Sequence, residues 1–282
     1  MRYGMNLLLW VDVLDDGVLP LLDQIKGIGY DAVEVPVFES DVDKYAAWGK
    51  HFDNAGLART AVTVRGEDDN PMSPDAAVRQ KGVDANKAAL DCAAAVGAET
   101  LCGPYHSALG YFSGAGPTED EWKWAVESMQ KVAEHAAGLG VKLALEYLNR
   151  FECYLLNTAA DGARFVQDVG NPACGMMYDT FHSHIEEKNT PDAIRALKGC
   201  LIHVHISEND RSTPGKGNIR WAETFDTLKE IGYDNLMVVE AFGLALERLI
   251  PATKIWRRMY DSETQLATDA LNFMKSEVEK RA

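Results

Sequence analysis

Basic residues are scarce in this chain. Lys and Arg number 28 against 43 Asp and Glu, a formal net charge of −15 over 282 residues. A duplex nucleic-acid binder needs a basic face, and none is visible. The same deficit argues against an anionic membrane surface. Long apolar runs are missing too: nothing approaches the roughly 20 residues of a membrane span, and no secretory signal heads the sequence. Cysteine is limited to Cys92, Cys102, Cys153, Cys174 and Cys200, an odd number with no CxxC pair. That pattern points to reduced thiols, hence a cytoplasmic protein, with the five side chains serving as small apolar fillers. A GxGxxG phosphate turn is absent; the corresponding stretch reads NLLLWVDVLDDG. With no basic cluster to form a phosphate cradle either, phosphorylated substrates are not expected.

What is present is one repeated phrase. A helix-like stretch ends in Gly, and a β-branched or apolar run follows. IKGIGYDAVEVPVF (25–38) and LKEIGYDNLMVVEAF (228–242) are nearly the same sentence, 203 residues apart. The pattern recurs at Gly56, Gly97, Gly140, Gly170 and Gly199. Gly after the last helical turn takes the left-handed conformation that closes a helix, and the apolar run after it reads as a buried parallel strand. With a first strand at Tyr3–Trp10, the count is eight. Eight βα units without a linker predict an α/β protein folded as a (β/α)8 TIM barrel, a single domain over 1–282 with a C-terminal helix, 262–281, packed outside. A doubly wound open sheet is the alternative. Amphipathic segments such as EDEWKWAVESMQKVAEHAAGLG supply the outer ring. Long loops at 65–75 and 103–118 follow strands three and four, on the face where barrels carry active sites. The second is a lid or substrate wall, or a plain connection. The stretch LERLIPATKIWRRMYD (246–261) closes the site, meets a neighbour, or is an ordinary eighth helix.

Four polar residues end four consecutive strands: Glu146, Asp179, His205 and Glu240, spaced 33, 26 and 35 residues apart. Each interval is close to one strand–helix–strand unit of roughly 30 residues, so all four side chains arrive at one sheet edge. Strand parity agrees. Glu146 shares its face with Ala144, Asp179 with Met177, His205 with His203 and Glu240 with Val238, all toward the barrel interior. Buried carboxylates must be paired or metal-bound. Three carboxylates and one imidazole suit one divalent metal, Mn2+ first, with Mg2+ or Co2+ as alternatives, better than a structural zinc. Three more polar residues follow these strand ends: Glu152, His182 and Arg211. Together they can grip vicinal hydroxyls and a carbonyl of a sugar.

The segments ALEYLNRFE, MYDTFHSHIEE, HVHISENDR and VVEAF resemble the signature segments of the D-tagatose 3-epimerase family, with the D-psicose (D-allulose) and L-ribulose 3-epimerases, among the xylose isomerase-like barrels. The resemblance covers nearly the whole chain. It implies that Glu146, Asp179, His205 and Glu240 hold one Mn2+-type ion, with Glu146 and Glu240 as the acid/base pair. Glu152, His182 and Arg211 would contact O1–O3 of the sugar. It also implies a homodimer or homotetramer. The loops after strands three and four differ from those of the tagatose enzymes where the far end of the sugar would lie.

The expected reaction is inversion at C3 of a free ketohexose or ketopentose through an enediolate, with two Glu on opposite faces. An aldose–ketose isomerase on the same site stays open, as does a metal-dependent lyase or deglycosylating enzyme acting on a 3-oxo sugar. A multi-zinc DNA repair endonuclease is excluded by seven His and the acidic balance.

Overall fold

In the computed structural model, which describes residues 1–281, eight parallel strands close into a barrel in chain order. They are β1 (Arg2–Asn6), β2 (Ala32–Pro36), β3 (Ala58–Val62), β4 (Thr100–Gly103), β5 (Lys142–Glu146), β6 (Cys174–Asp179), β7 (Leu201–Ile206) and β8 (Leu236–Val239). Closure comes from β1, which pairs with β2 on one side and β8 on the other. The helices are α1 (Leu19–Ile28), α2 (Val42–Ala55), α3 (Ala76–Ala95), α4 (Glu119–Leu139), α5 (Ala159–Val169), α6 (Thr180–Glu186), α7 (Thr190–Ala196), α8 (Trp221–Glu230), α9 (Ile250–Thr253) and α10 (Glu263–Glu279). Among the described residues, no helix is long and apolar enough to cross a membrane.

The repeated Gly has its expected role. Gly29, Gly56, Gly140 and Gly170 close α1, α2, α4 and α5 in left-handed backbone. Parity also holds. Ala144, Met177, Val62 and Cys102 meet in an inner cluster, while Leu143 and Leu145 join the layer between strands and helices. α10 packs on the outside, where the Tyr30 hydroxyl donates to the Ala267 carbonyl at 2.7 Å and Phe273 stacks edge-on against Trp221.

The first strand is shorter than the sequence predicts. It stops at Asn6, whose Oδ1 accepts from the Leu8 N–H at 2.8 Å and turns the chain into a 3-10 helix at Leu7–Leu9. The apolar run NLLLW continues as a turn because this side-chain bond competes with the strand ladder. Leu8 thereby reaches the barrel mouth.

The loop after β4 is tied to its neighbours. Asn70 Oδ1 accepts from the Ala108 N–H at 3.1 Å, the Leu109 N–H donates to the Arg65 carbonyl, and the Gly110 N–H donates to the Glu152 carbonyl. Its first part, Pro104–Ala108, is buried, and its tip is exposed. The entry to this loop is Gly103, at φ 122°, with the Thr63 carbonyl oxygen in the space a Cβ would fill. Gly103→Ala is therefore expected to cost about 2 kcal/mol or more, from backbone strain plus overpacking. Urea unfolding checks this, and an unchanged midpoint would contradict it.

Candidate functional site

Glu146 ends β5, Asp179 ends β6, His205 is the penultimate residue of β7 and Glu240 directly follows β8. The structure brings all four together: one ligand atom from each lies within 4.8 Å of the others, and none of the residues is more than 6 % exposed. His205 Nδ1 is 3.3 Å from Glu240 Oε1 and 3.6 Å from Asp179 Oδ2. Asp179 divides its oxygens. Oδ1 accepts from the Phe181 N–H at 2.6 Å and caps α6, leaving Oδ2 for the cluster.

Burial, followed by the Glu240 and Asp179 charges, holds the Glu146 carboxyl well above the ordinary range. Glu240 is also buried, but His205 and Arg211 outweigh that and hold its carboxyl low. Burial works against a charge on His205, yet Glu34 and Glu240 favour it. Three buried carboxyl groups crowd the Arg211 guanidinium and the His205 imidazole, an arrangement that is costly without a further cation or bound protons. Glu146 Oε1 and His205 Nδ1 are buried and lack hydrogen-bond partners. Both are good donors to a hard or borderline metal. The donor set thus fits a divalent cation held by Glu146, Asp179, His205 and Glu240.

A second polar layer lies deeper in the barrel, which sequence reasoning missed. Glu34 on β2 is fully buried. Its Oε1 accepts from Asn6 Nδ2 at 2.9 Å and lies 2.7 Å from His205 Nε2. Its Oε2 accepts from Thr60 Oγ1 at 2.8 Å and the Cys102 thiol at 3.0 Å, with His203 Nε2 2.9 Å away. Burial opposes the charge on Glu34, but His205 and His203 outweigh it and keep the carboxyl low. An ionised Glu34 accepts the Nε2 proton of His205, so Nδ1 is the ring atom that faces the upper carboxylates and becomes a metal donor when its own proton is displaced. Cys102 is therefore a hydrogen-bonding member of this layer as well as a small filler. The available signal was a charged residue, inward by parity, inside the apolar run AVEVP.

The three satellites also converge. Arg211 Nη1 contacts Asp179 Oδ2 at 3.1 Å and pairs with Glu240, while Nη2 lies 2.8 Å from His182 Nε2. The guanidinium stacks 3.8 Å from the Phe181 ring centroid. Burial and then Arg211 lower the His182 imidazole to about 3, so the ring is neutral. Its Nδ1 accepts from the Asn149 N–H at 3.1 Å, and Asn149 Nδ2 donates to Glu152 Oε1 at 2.8 Å. Asn149, within NRFE, thus links two of the expected substrate contacts.

Arg211 sits in left-handed backbone at φ 62°. A non-Gly residue stays there only where its surroundings over-determine it. Its N–H donates to the Glu208 carbonyl, and its own carbonyl accepts from Phe242. The Glu208 carboxylate, fully buried, accepts from the backbone N–H groups of Asn209, Gly215, Asn218 and Ile219 and from Trp221 Nε1, at 2.8–3.2 Å. Sequence reasoning also missed Glu208, because its partners are backbone groups.

These side chains open onto a cavity of about 220 Å³, lined by Glu146, Glu152, His182, Arg211 and Glu240 among others. That is smaller than the roughly 300–1,000 Å³ of drug-sized sites and suits a single small ligand. Pro104 and Leu109 of the loop after β4 form part of its wall. The 246–261 stretch is no ordinary helix. It forms a 3-10 turn, Glu247–Leu249, and the short α9, and Leu249, Ala252 and Thr253 border the cavity.

A closed parallel barrel with a buried acid–imidazole donor set at its mouth defines a metal-capable (β/α)8 site. Residues 22–276 match the model of the xylose isomerase-like TIM barrel family. The chain is 32% identical to the D-psicose 3-epimerase of Agrobacterium fabrum over 262 residues, covering 91% of this chain and 90% of that one. It is 34% identical to the L-ribulose 3-epimerase of Mesorhizobium japonicum over 256 residues, covering 90% and 86%. The crystal structure of a D-allulose 3-epimerase from Methylomonas sp. in complex with D-allulose superposes with a TM-score of 0.92 at 29% identity, covering 98% of this chain and 97% of that one. The chain belongs to the xylose isomerase-like TIM barrel family, in its ketose 3-epimerase branch, and is an enzyme of the isomerase class.

Removing the Glu208 carboxylate would strand the buried Ile219 N–H and several partly buried N–H groups at once. Glu208→Ala is expected to destabilise the protein by about 3 kcal/mol or more. It should also expose 209–220 to limited proteolysis. Wild-type resistance in that segment would show that Glu208 does not hold the loop.

Proposed function

We propose that the chain is a metal-dependent ketose 3-epimerase that inverts C3 of a free ketohexose or ketopentose. The observation that carries this reading is the pair Glu146 and Glu240, lining one cavity and sharing one buried donor set with Asp179 and His205. Those four residues hold a divalent cation, Mn2+ by preference for a site of mixed oxygen and nitrogen donors. When bound, the ion supplies Lewis acidity for the C2 carbonyl and for the negative charge that builds on the sugar when C3 loses its proton.

The chain's own residues do the rest. Glu152, His182 and Arg211 grip the O1–O3 end of the sugar and fix its orientation. His182, neutral and flanked by Arg211, offers a hydrogen bond without adding charge. One of Glu146 and Glu240 takes the C3 proton, and the other returns a proton to the opposite face. Two carboxyl groups on opposite faces invert the centre; one base on one face would restore it or move the proton along the chain. The cavity walls limit water around the reacting carbons. A homodimer or homotetramer, in line with the family resemblance, belongs to this reading.

The test is NMR of the Mn2+-loaded protein with free ketoses in D2O. Deuterium at C3 of a C3-inverted product is expected. Deuterium at C1 or C2 with an aldose product would replace the epimerase by an isomerase. Glu240→Gln should abolish turnover in both directions while the metal remains bound; retained turnover would remove Glu240 from the acid/base role. Glu34→Gln should weaken Mn2+ binding by about 10–100-fold, because it removes the acceptor that fixes His205. Competition with a chromophoric chelator measures this on folded protein, and unchanged affinity would mean that His205 is oriented without Glu34.

A further inference from the structure

The cavity has two chemically different sides. All five ionisable side chains that line it, Glu146, Glu152, His182, Arg211 and Glu240, come from the ends of β5–β8, the loops after them and α6, where Leu148, Phe181 and Phe242 also line the cavity. The opposite side comes from β1–β4 and their loops: Leu8, Phe38, Val62, Val64, Pro104 and Leu109. None of these side chains carries a hydrogen-bonding atom. The strap above adds Leu249 and Ala252, and Thr253 brings the one remaining side-chain hydroxyl.

Resting on the ketose 3-epimerase reading, the division of the cavity orients the sugar. The C1–C3 end takes the ionisable side, so C4–C6 run toward the apolar wall and strap. Three hydroxyls, O4, O5 and O6, would then compete for one Thr hydroxyl and whatever water enters at the mouth. A hydroxyl pressed against an apolar wall loses hydration without compensation, whereas a methyl gains contact there. We infer that the preferred substrates are ketoses with a deoxygenated far end, 6-deoxy-ketohexoses, whose C6 methyl packs on the wall formed by the β1–β4 loops.

The preference is a moderate one. A hydrophobic pocket rejects an added hydroxyl only modestly, and Phe38, 42 % exposed, marks where the wall meets solvent. The methyl is remote from the reacting carbon and makes the same contacts before and during proton transfer, so its effect belongs in KM and not in kcat.

The experiment compares pairs that share configuration at C3, C4 and C5: D-fructose with 6-deoxy-D-fructose, and L-tagatose with 6-deoxy-L-tagatose. Initial rates of C3 inversion are measured on the Mn2+-loaded enzyme. With concentrations expressed as open-chain ketose, because loss of O6 removes the pyranose form, the 6-deoxy member should have kcat/KM higher by about fivefold or more, through KM. Equal values, or a preference for the 6-hydroxy member, would overturn the inference and leave the epimerase intact. No C3 exchange on any of the four sugars, with the metal bound, would overturn the epimerase reading and this inference with it.

Discussion

Negative charge buried along the barrel axis governs much of this structure. Glu34, Glu146, Asp179 and Glu240 lie inside or at the rim of the strand ring, none more than 6 % exposed. A carboxylate taken out of water must recover its solvation from fixed partners. Glu34 does so locally, among Asn6, Thr60, Cys102, His203 and His205. The upper three cannot, because among the described residues Arg211 is the one guanidinium paired with this group, through Asp179 and Glu240, and His205 is already committed to Glu34 on its Nε2 side. That imbalance is what fits the mouth of the barrel to hold a cation.

Features some distance away follow from the same constraint. Arg211 reaches the cluster from left-handed backbone, which its bonds to Glu208 and Phe242 hold in place. That loop is organised around a single buried carboxylate, Glu208, whose partners are almost all backbone N–H groups. On the other side, Asn149 couples the turn after β5 to His182 on α6, and Arg150 pairs with Glu186 at the end of the same helix at 2.8 Å. The ionisable half of the cavity is thus one continuous network spanning β5 to β8. The β1–β4 half is built by apolar packing and by backbone bonds between loops, including those that seat Leu109 at the wall. The ionisable and the aliphatic walls therefore rest on different parts of the chain, and a change in one need not disturb the other.

The barrel and the convergence of Glu146, Asp179, His205 and Glu240 were legible in the sequence because both are periodic. Gly at each helix end marks where a strand begins, alternation along the strand decides which side chains face inward, and the intervals between Glu146, Asp179, His205 and Glu240 equal one structural unit each. The satellites Glu152, His182 and Arg211 were found from the same strand ends. Loop paths were not legible. A hydrogen bond from Leu8 to the Asn6 side chain cut the first strand short, although composition favoured its continuation. The stretch 246–261 became a strap at the mouth, decided by packing and not by helical periodicity.

Glu34 and Glu208 show where local reading ends. Each is one acidic residue in an ordinary-looking segment, and its meaning comes from partners far away in the chain: Glu34 meets His205 across 171 residues. The sequence by itself determined the eight-unit repeat, the inward face of each strand and the residues at the strand ends, because backbone geometry converts spacing into direction. Only the tertiary structure decided which inward groups pair below the site, how Arg211 is held above it, and that one wall of the cavity is apolar, because these depend on closing β8 against β1 and on the courses of loops that no periodic signal describes.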